Sequence, residues 1–272
     1  MAKRLNLDWQ VPKVLVAPIK GASAKQLYEQ VPEHLRVGIR YDEKSQEVIG
    51  STVFAVAGFD DVLEKFGART TSLRDLSLPE VMAFAKGKYW IDGRTLVART
   101  QTDSDYSKNN SLLKILYGLA EEQLGSIKHP FMVGGFTFAP TEDETGYGLA
   151  LVKKPDFKIT QDERLKGHNG DKFSDVDELG LPLFDKNGNR TWYSRGKGLS
   201  RVCLSGYSDL GSDVRDLADS CDCGRVVVVS SEGASQNLVQ ERLVKLQKLR
   251  DAEITKINVR YEKAKAVFAG KD

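Results

Sequence analysis

The chain reads as an α+β protein built on an antiparallel or mixed sheet, and three observations carry that reading. Residues 126–231 bring strand patterns in close succession with little helix between them, which disfavours a doubly wound parallel sheet. Residues 1–125 alternate strand-like and helix-like patterns without an internal repeat. In the last section Val239, Leu243, Leu246, Ile254, Ile257, Tyr261, Ala264 and Phe268 recur at a spacing near 3.6, interrupted by Arg250. The expected division is an N-terminal section 1–125, separate from or continuous with a sheet section 126–231, then a long C-terminal helix over 232–272. That helix either packs on its own domain or serves a homo-oligomer or another partner, and its spacing demands no strict seven-residue repeat.

The elements follow in chain order. Residues 14–19, 37–41 and 52–57 are short apolar runs with strand character, and residues 25–31 and 59–66 carry helical spacing. Residues 88–99 read KYWI, Asp-Gly, RTLVAR, which predicts a hairpin whose tight turn needs positive φ at Gly93. Residues 111–124 put Leu112, Leu113, Leu116, Leu119, Ala120 and Leu124 on one helical face. FMVGGFTFAP and YGLALVKKP flank the acidic turn TEDETG as a second hairpin, with Gly134 and Gly135 as a bulge or a close strand contact. Residues 154–178 are polar and charged and are expected to cross the surface as a loop. LPLF and RTWYSR then flank the turn sequence Asp185, Lys186, Asn187 and Gly188.

A chain of 272 residues with 40% apolar content has the means to bury a core without staples. Its 40 basic and 38 acidic residues nearly cancel, so overall charge supplies no argument for nucleic acid or an anionic membrane. The opening MAKRLNLDWQVPKVLVAPIK has no apolar stretch long enough for a signal-peptide core, and no run approaches a membrane span, so a cytoplasmic location without membrane insertion is expected. All three cysteines lie within residues 203–223, which argues against a disulfide framework and for free thiols.

No catalytic signature stands out. His34, His129 and His168 are isolated, without HExxH or paired His/Cys spacing, and the Gly134–Gly135 pair lacks a nucleotide-loop pattern. Cys221 and Cys223 have only Cys203 as a further thiol, short of a zinc set. Asp209, Asp213, Asp216, Asp219 and Asp222 offer oxygen atoms suited to calcium, but not at the spacing of a helix-loop-helix calcium site, and an acidic patch is the preferred reading. Neither metal nor cofactor is expected, nor enzymatic activity.

The most unusual stretch is CLSGYSDLGSDVRDLADSCDC, residues 203–223. It holds five aspartates and every cysteine, yet no Lys, Glu, Gln, Asn, Met or Trp. Leu204, Leu210, Leu217 and Ala218 are spaced anchors among small or turn-tolerant polar residues, and Val226 to Val229 follow as a strong strand signal. An apolar frame filled with scattered Ser, Gly, Tyr, Asp, Cys and Arg is what a scaffold needs to present changeable side chains to a partner.

This segment resembles the variable region in target proteins of diversity-generating retroelements, in which adenines of a template copy are randomised and asparagine codons become a restricted set of residues. Ser, Gly, Asp, Tyr, Cys, Arg and Val belong to that set; Lys, Glu, Gln, Met and Trp do not. The resemblance spans roughly 30 residues and implies a C-type lectin-like sheet domain. It implies a variable, ligand-binding set of Cys203, Ser205, Gly206, Tyr207, Asp209, Gly211, Asp213, Val214, Arg215, Asp216, Asp219, Cys221 and Cys223. The frame would be Leu204, Leu210, Ser212, Leu217, Ala218, Ser220, Gly224, Arg225 and the valine strand. Members commonly carry this region at or near the C-terminus, whereas a helical pattern follows it here, which puts the domain boundary in doubt.

The resemblance implies a protein or other macromolecular ligand, a host receptor for phage-borne members, and so a virion-associated alternative to the cytoplasmic location. The competing expectation is a phage or plasmid enzyme with a metal in the 209–222 window, or a nucleic-acid accessory protein. In the latter Arg190, Arg195, Lys197 and Arg201, beside Trp192 and Tyr193, would touch phosphate and bases. A solvated strand and turn is the preferred reading of that basic stretch.

Overall fold

The computed structural model describes residues 16–230, apart from 22, 66, 143–144 and 167–168. The stretch expected as a C-terminal helix lies outside the described residues, as does His168. Among the described residues the chain is mixed α+β and dominated by strands: an eight-stranded sheet, a three-stranded sheet and a small hairpin, with four α-helices.

β1 (Val16–Pro18) comes first among the described residues, and α1 (Ala24–Gln30) forms where helical spacing predicts it. β2 (Arg40–Asp42) and β3 (Glu47–Ile49) pair as a hairpin. Next comes α2 (Val53–Glu64), which overturns the strand expected at 52–57. Thr52 starts this helix: its Oγ1 accepts the Ala55 N–H at 3.2 Å and donates to Val37 O at 2.9 Å. Ten of the twelve residues are buried, and residues 53–59 carry no polar side chain to betray a 3.6-residue period. A Cβ on Gly58 would lie 2.8 Å from Val31 Cγ1, and glycine there admits the end of α1.

β4 (Ala68–Thr70) precedes α3 (Pro79–Ala85), whose proline sits in the first turn, where its missing N–H costs nothing. β5 (Ile91–Ala98) and α4 (Asn110–Leu124) follow, and α4 buries Leu112, Leu113, Leu116 and Ala120 as its spacing requires. β6 (Phe131–Pro140) and β7 (Leu149–Gln161) form the expected antiparallel hairpin. Their register shifts between Gly134 and Phe136; Gly135 has φ of 70°, and a Cβ there would overlap the Asp156 carbonyl.

The polar stretch 154–178 is not a surface loop: it supplies the end of β7 and then β8 (Asp171–Val176). Charge is tolerable because β7 is a sheet edge and Lys154 lies 3.0, 2.9 and 2.9 Å from Asp60, Asp61 and Glu64. β9 (Pro182–Phe184) and β10 (Arg190–Ser194) flank the expected turn, closed by Gly188 N–H to Asp185 O at 2.9 Å. They do not pair with each other, because β8 lies between them. β11 (Leu199–Leu204), β12 (Leu210–Ser212) and β13 (Val227–Ser230) are the last elements among the described residues.

The large sheet runs β7-β6-β5-β11-β12-β10-β8-β9, antiparallel except for β10 against β12. β13 lies between β1 and β4 in the three-stranded sheet. The hairpin expected at 88–99 is absent: the chain passes through Asp92-Gly93 as one strand, and Gly93 takes no positive φ. Asp92 faces Cys203 while Leu96 faces Arg201, so β5 bulges over residues 93–95 and the Arg94 N–H bonds Thr71 O at 2.7 Å. Because β5 sits between β6 and β11, sections 1–125 and 126–231 share one sheet.

Two apolar clusters fill the interior. Phe54, Phe59, Leu112, Phe131, Phe136 and Leu217 gather around α2 and α4. Val81, Ile91, Phe173, Trp192, Leu204 and Leu210 form the other, beside α3. No helix among the described residues is long and apolar enough to cross a membrane.

Candidate functional site

Residues 203–223 begin on the central strands of the large sheet. Every residue of β11 and β12 is buried, and the two strands pair antiparallel with Cys203 opposite Gly211 and Leu204 opposite Leu210. The intervening turn is closed by Ser205 N–H to Asp209 O at 2.9 Å and Ser208 N–H to Ser205 O at 3.0 Å. Ser208 takes φ of 68°, a left-handed conformation usually left to glycine or asparagine. Leu204, Leu210 and Leu217 are fully buried, and each burial contributes about 1.5–3 kcal/mol. Tyr207, at the tip of the turn, is 88% exposed.

Residues 213–223 form no strand, yet their backbone is tied down. Val214 O accepts from Arg201 N–H at 3.2 Å, and Arg215 O accepts from Asn109 Nδ2 at 3.0 Å. The Tyr147 hydroxyl accepts the Leu217 N–H at 3.0 Å, Asp216 Oδ1 accepts the Ala218 N–H at 2.9 Å, and Ser220 Oγ accepts the Ser51 N–H at 2.9 Å. Cys223 O accepts the Trp90 N–H at 3.0 Å, and Gly224 O accepts the Gly50 N–H at 2.9 Å. The irregular chain is held mainly through its backbone, with the Asp216 carboxylate and the Ser220 hydroxyl adding side-chain bonds.

The thirteen expected positions divide by exposure. Tyr207, Asp213, Arg215, Asp219, Cys221 and Cys223 are exposed, and Ser205, Gly206, Asp209, Val214 and Asp216 are half-buried. Cys203 and Gly211 are buried, which corrects the expectation that both face outward. Cys203 Sγ lies 3.5 Å from Gly211 O, and burial pushes the thiol well above its usual range. Cys221 and Cys223 form a disulfide, which corrects the expectation of free thiols; it closes a loop too short to staple the fold.

Seven of the thirteen meet on one cleft of about 510 Å³. Ser205, Gly206, Tyr207, Asp209, Gly211, Asp213 and Cys223 form one side, and the 87–90 segment and Tyr193 form the other. The Gly87 N–H bonds Gly206 O at 2.7 Å and ties the two sides together. Tyr89, Trp90, Tyr193 and Tyr207 supply aromatic surface, and Asp209 and Asp213 outnumber the one ammonium, Lys88. Aromatic surface beside carboxylates suits a cationic side chain of a partner. Sequence reasoning missed Tyr89 and Trp90, which lie more than a hundred residues from the window and meet it through β5 and the Trp90–Cys223 backbone bond. Tyr193 was legible: alternation in RTWYS points it away from the fully buried Trp192.

No protein-family model, curated protein or solved structure matches this chain. The functional reading therefore rests on the residues themselves.

The basic stretch is engaged internally. Arg201 pairs with Asp92 at 3.1 Å, and Arg195 with Asp103 at 2.8 Å. Arg190 donates to Ser208 O at 2.7 Å and lies over the Phe173 ring, while exposed Lys197 pairs with Asp105 at 3.0 Å. These side chains position β10, β11 and the turn, and four of the five β10 residues are buried, which corrects the preferred reading of a solvated strand. The five aspartates also diverge: Asp209 accepts from Thr191 N–H, Asp216 from Ala218 N–H, and Asp222 from Arg40. Among the described residues no group of three or more His, Cys, Asp or Glu is arranged to hold a metal ion.

Proposed function

We propose that this chain is a non-enzymatic binding protein that recognises a protein or other macromolecular ligand through the surface built from residues 205–223, diversified by a retroelement. The observation that carries the reading is the convergence of seven window residues on one aromatic-walled cleft whose supporting leucines are fully buried. Tyr207 and Tyr193 are anchors of the kind that dominate interfaces, and the neighbouring Ser, Gly and Asp positions supply adaptable polar contacts. Six exposed and five half-buried positions suit one side of a modest interface, near 800 Å² per partner. Irregular loops pinned to a mostly antiparallel sheet support a C-type lectin-like scaffold, although eight strands make a larger sheet than that fold requires.

The internal pairing of Arg190, Arg195 and Arg201 and the divergence of the aspartates leave the enzyme and nucleic-acid readings without a favouring observation. The genetic test is the DNA flanking the coding region. The reading expects a near-copy of the 203–223 codons with asparagine codons at the variable positions, together with a reverse transcriptase. Flanks without either would overturn the retroelement assignment.

A further inference from the structure

A second cleft, of about 760 Å³, shares no lining residue with the first. Arg99, at the end of β5, forms part of its wall together with Lys128, His129 and Lys166, with Tyr117 and Glu121 of α4 beside them.

Arg99 is the unusual member. It is only 8% exposed, yet its Nε donates to Leu165 O at 2.9 Å, Nη1 to Ser200 Oγ at 2.8 Å and Nη2 to Ser212 Oγ at 2.9 Å. All three acceptors are neutral, and among the described residues no carboxylate lies within ion-pair distance. The buried guanidiniums of Arg201, Arg195 and Arg225 each have one, from Asp92, Asp103 and Glu47. Arg190, which also lacks one, covers the Phe173 ring instead. Burial, with Arg195 nearby, pulls Arg99 down to about 9, against the opposing pull of the more distant Asp213 carboxylate. A buried cation without a directly bonded carboxylate is costly, and an anion entering from the cleft would relieve that cost.

The surroundings fit such an anion. Each Nη of Arg99 keeps a second N–H beyond its serine bond, and a planar fork of this kind suits an oxyanion. Nδ1 of His129 is buried without a hydrogen-bond partner. His129 is half-buried, and its backbone N–H bonds Gln161 Oε1 at 3.0 Å. Lys128 and Lys166 are exposed at the rim, the latter in a loose 3.4 Å pair with Glu163. Buried Arg99 and the two rim lysines thus outnumber the carboxylates of Glu121, on the wall, and Glu163, beside Lys166.

We propose that this cleft binds the phosphate group of a small phosphorylated molecule, with Arg99 at its base and Lys128, His129 and Lys166 around it. The volume exceeds what a phosphate alone fills, leaving room for the organic body that carries it. The two clefts share no lining residue, although Arg99 bonds Ser212 of the window, so the rim lysines are what separate the two proposals.

The test is thermal unfolding and calorimetry of the full chain with inorganic phosphate, a nucleoside monophosphate and a phosphosugar, each against sodium chloride at equal ionic strength. Phosphate is expected to raise the unfolding temperature beyond chloride, because a ligand that binds only the folded state stabilises it. K128A/K166A, which touches only the rim, is expected to weaken binding at least ten-fold while unfolding normally without ligand. Arg99→Gln is expected to abolish binding if it folds; if it does not, the lysine variant decides. Tighter binding of the nucleotide or of the phosphosugar than of phosphate identifies the organic body, and equal binding confines recognition to the phosphate. Phosphate and chloride giving the same unfolding temperature, or K128A/K166A keeping full affinity, would overturn the proposal.

Discussion

A Cβ on Gly211 would lie 2.8 Å from the Sγ of Cys203, its partner across the β11–β12 pair. The two positions, far from being independent contacts, form one packing unit beneath the cleft.

Gly211→Ala alone is therefore expected to cost about 1–3 kcal/mol, as overpacking does. In the Cys203→Ala background the same change should cost at least 1 kcal/mol less, because the sulfur is gone. A double-mutant cycle by denaturant unfolding measures the difference, and additive costs would show that the two sites do not share space.

Frame and display should separate in stability measurements. Leu204→Ala, Leu210→Ala and Leu217→Ala are each expected to lose about 2–5 kcal/mol, since they remove fully buried side chains. Tyr207→Ala, at a position 88% exposed, should stay within about 0.5 kcal/mol of the parent. A large loss at Tyr207 would mean that the tip of the turn is structural.

The boundary between legible and illegible lies in how much of each element's pattern is local. The helix at 110–124 and the β6–β7 hairpin declare themselves because one face is apolar and the other is not. Helix α2 does so only in its second half, read as helical spacing at 59–66, because residues 53–57 are all buried, and an Asp-Gly pair that signals a tight turn became a bulge because Asp92 is drawn inside to Arg201. The charges of β7 hid a strand because their partners, Asp60, Asp61 and Glu64, lie on α2, about ninety residues away. At the candidate site the leucine frame was readable from spacing, but the wall formed by Tyr89 and Trp90 depends on long-range strand order.

Asp92 gives the fold a pH signature. Burial pushes its carboxyl up to about 6, against the pull of Arg201 at 3.1 Å. The folded state then holds the proton more tightly than the unfolded chain, so this group's contribution is full below about pH 4 and is lost as the pH rises to about 6. Relative to Asp92→Asn, the parent should lose up to about 3 kcal/mol across that window, at 1.36 kcal/mol per pH unit, and nothing further above it. Unfolding free energies of both proteins from pH 4 to pH 8 provide the check, and a difference that stays flat or grows with pH contradicts this account of the buried pair.

Reduction of the Cys221–Cys223 disulfide should cost under about 2 kcal/mol, because a loop this short restrains little unfolded-chain entropy. Unfolding with and without reductant measures it. Collapse of the folded state on reduction would show that the bond carries more of the structure than its span suggests.

The most direct measurement is of tolerance at the display positions taken together. Tyr207, Asp213, Arg215 and Asp219 are replaced simultaneously by varied sets of Ser, Asn, Tyr and Arg, and each protein is unfolded thermally and by denaturant. The account predicts cooperative unfolding within about 2 kcal/mol of the parent for nearly every set, as expected for exposed side chains on a frame that does not depend on them. If most sets fail to fold, these side chains belong to the scaffold, and residues 205–223 are not an interchangeable recognition surface.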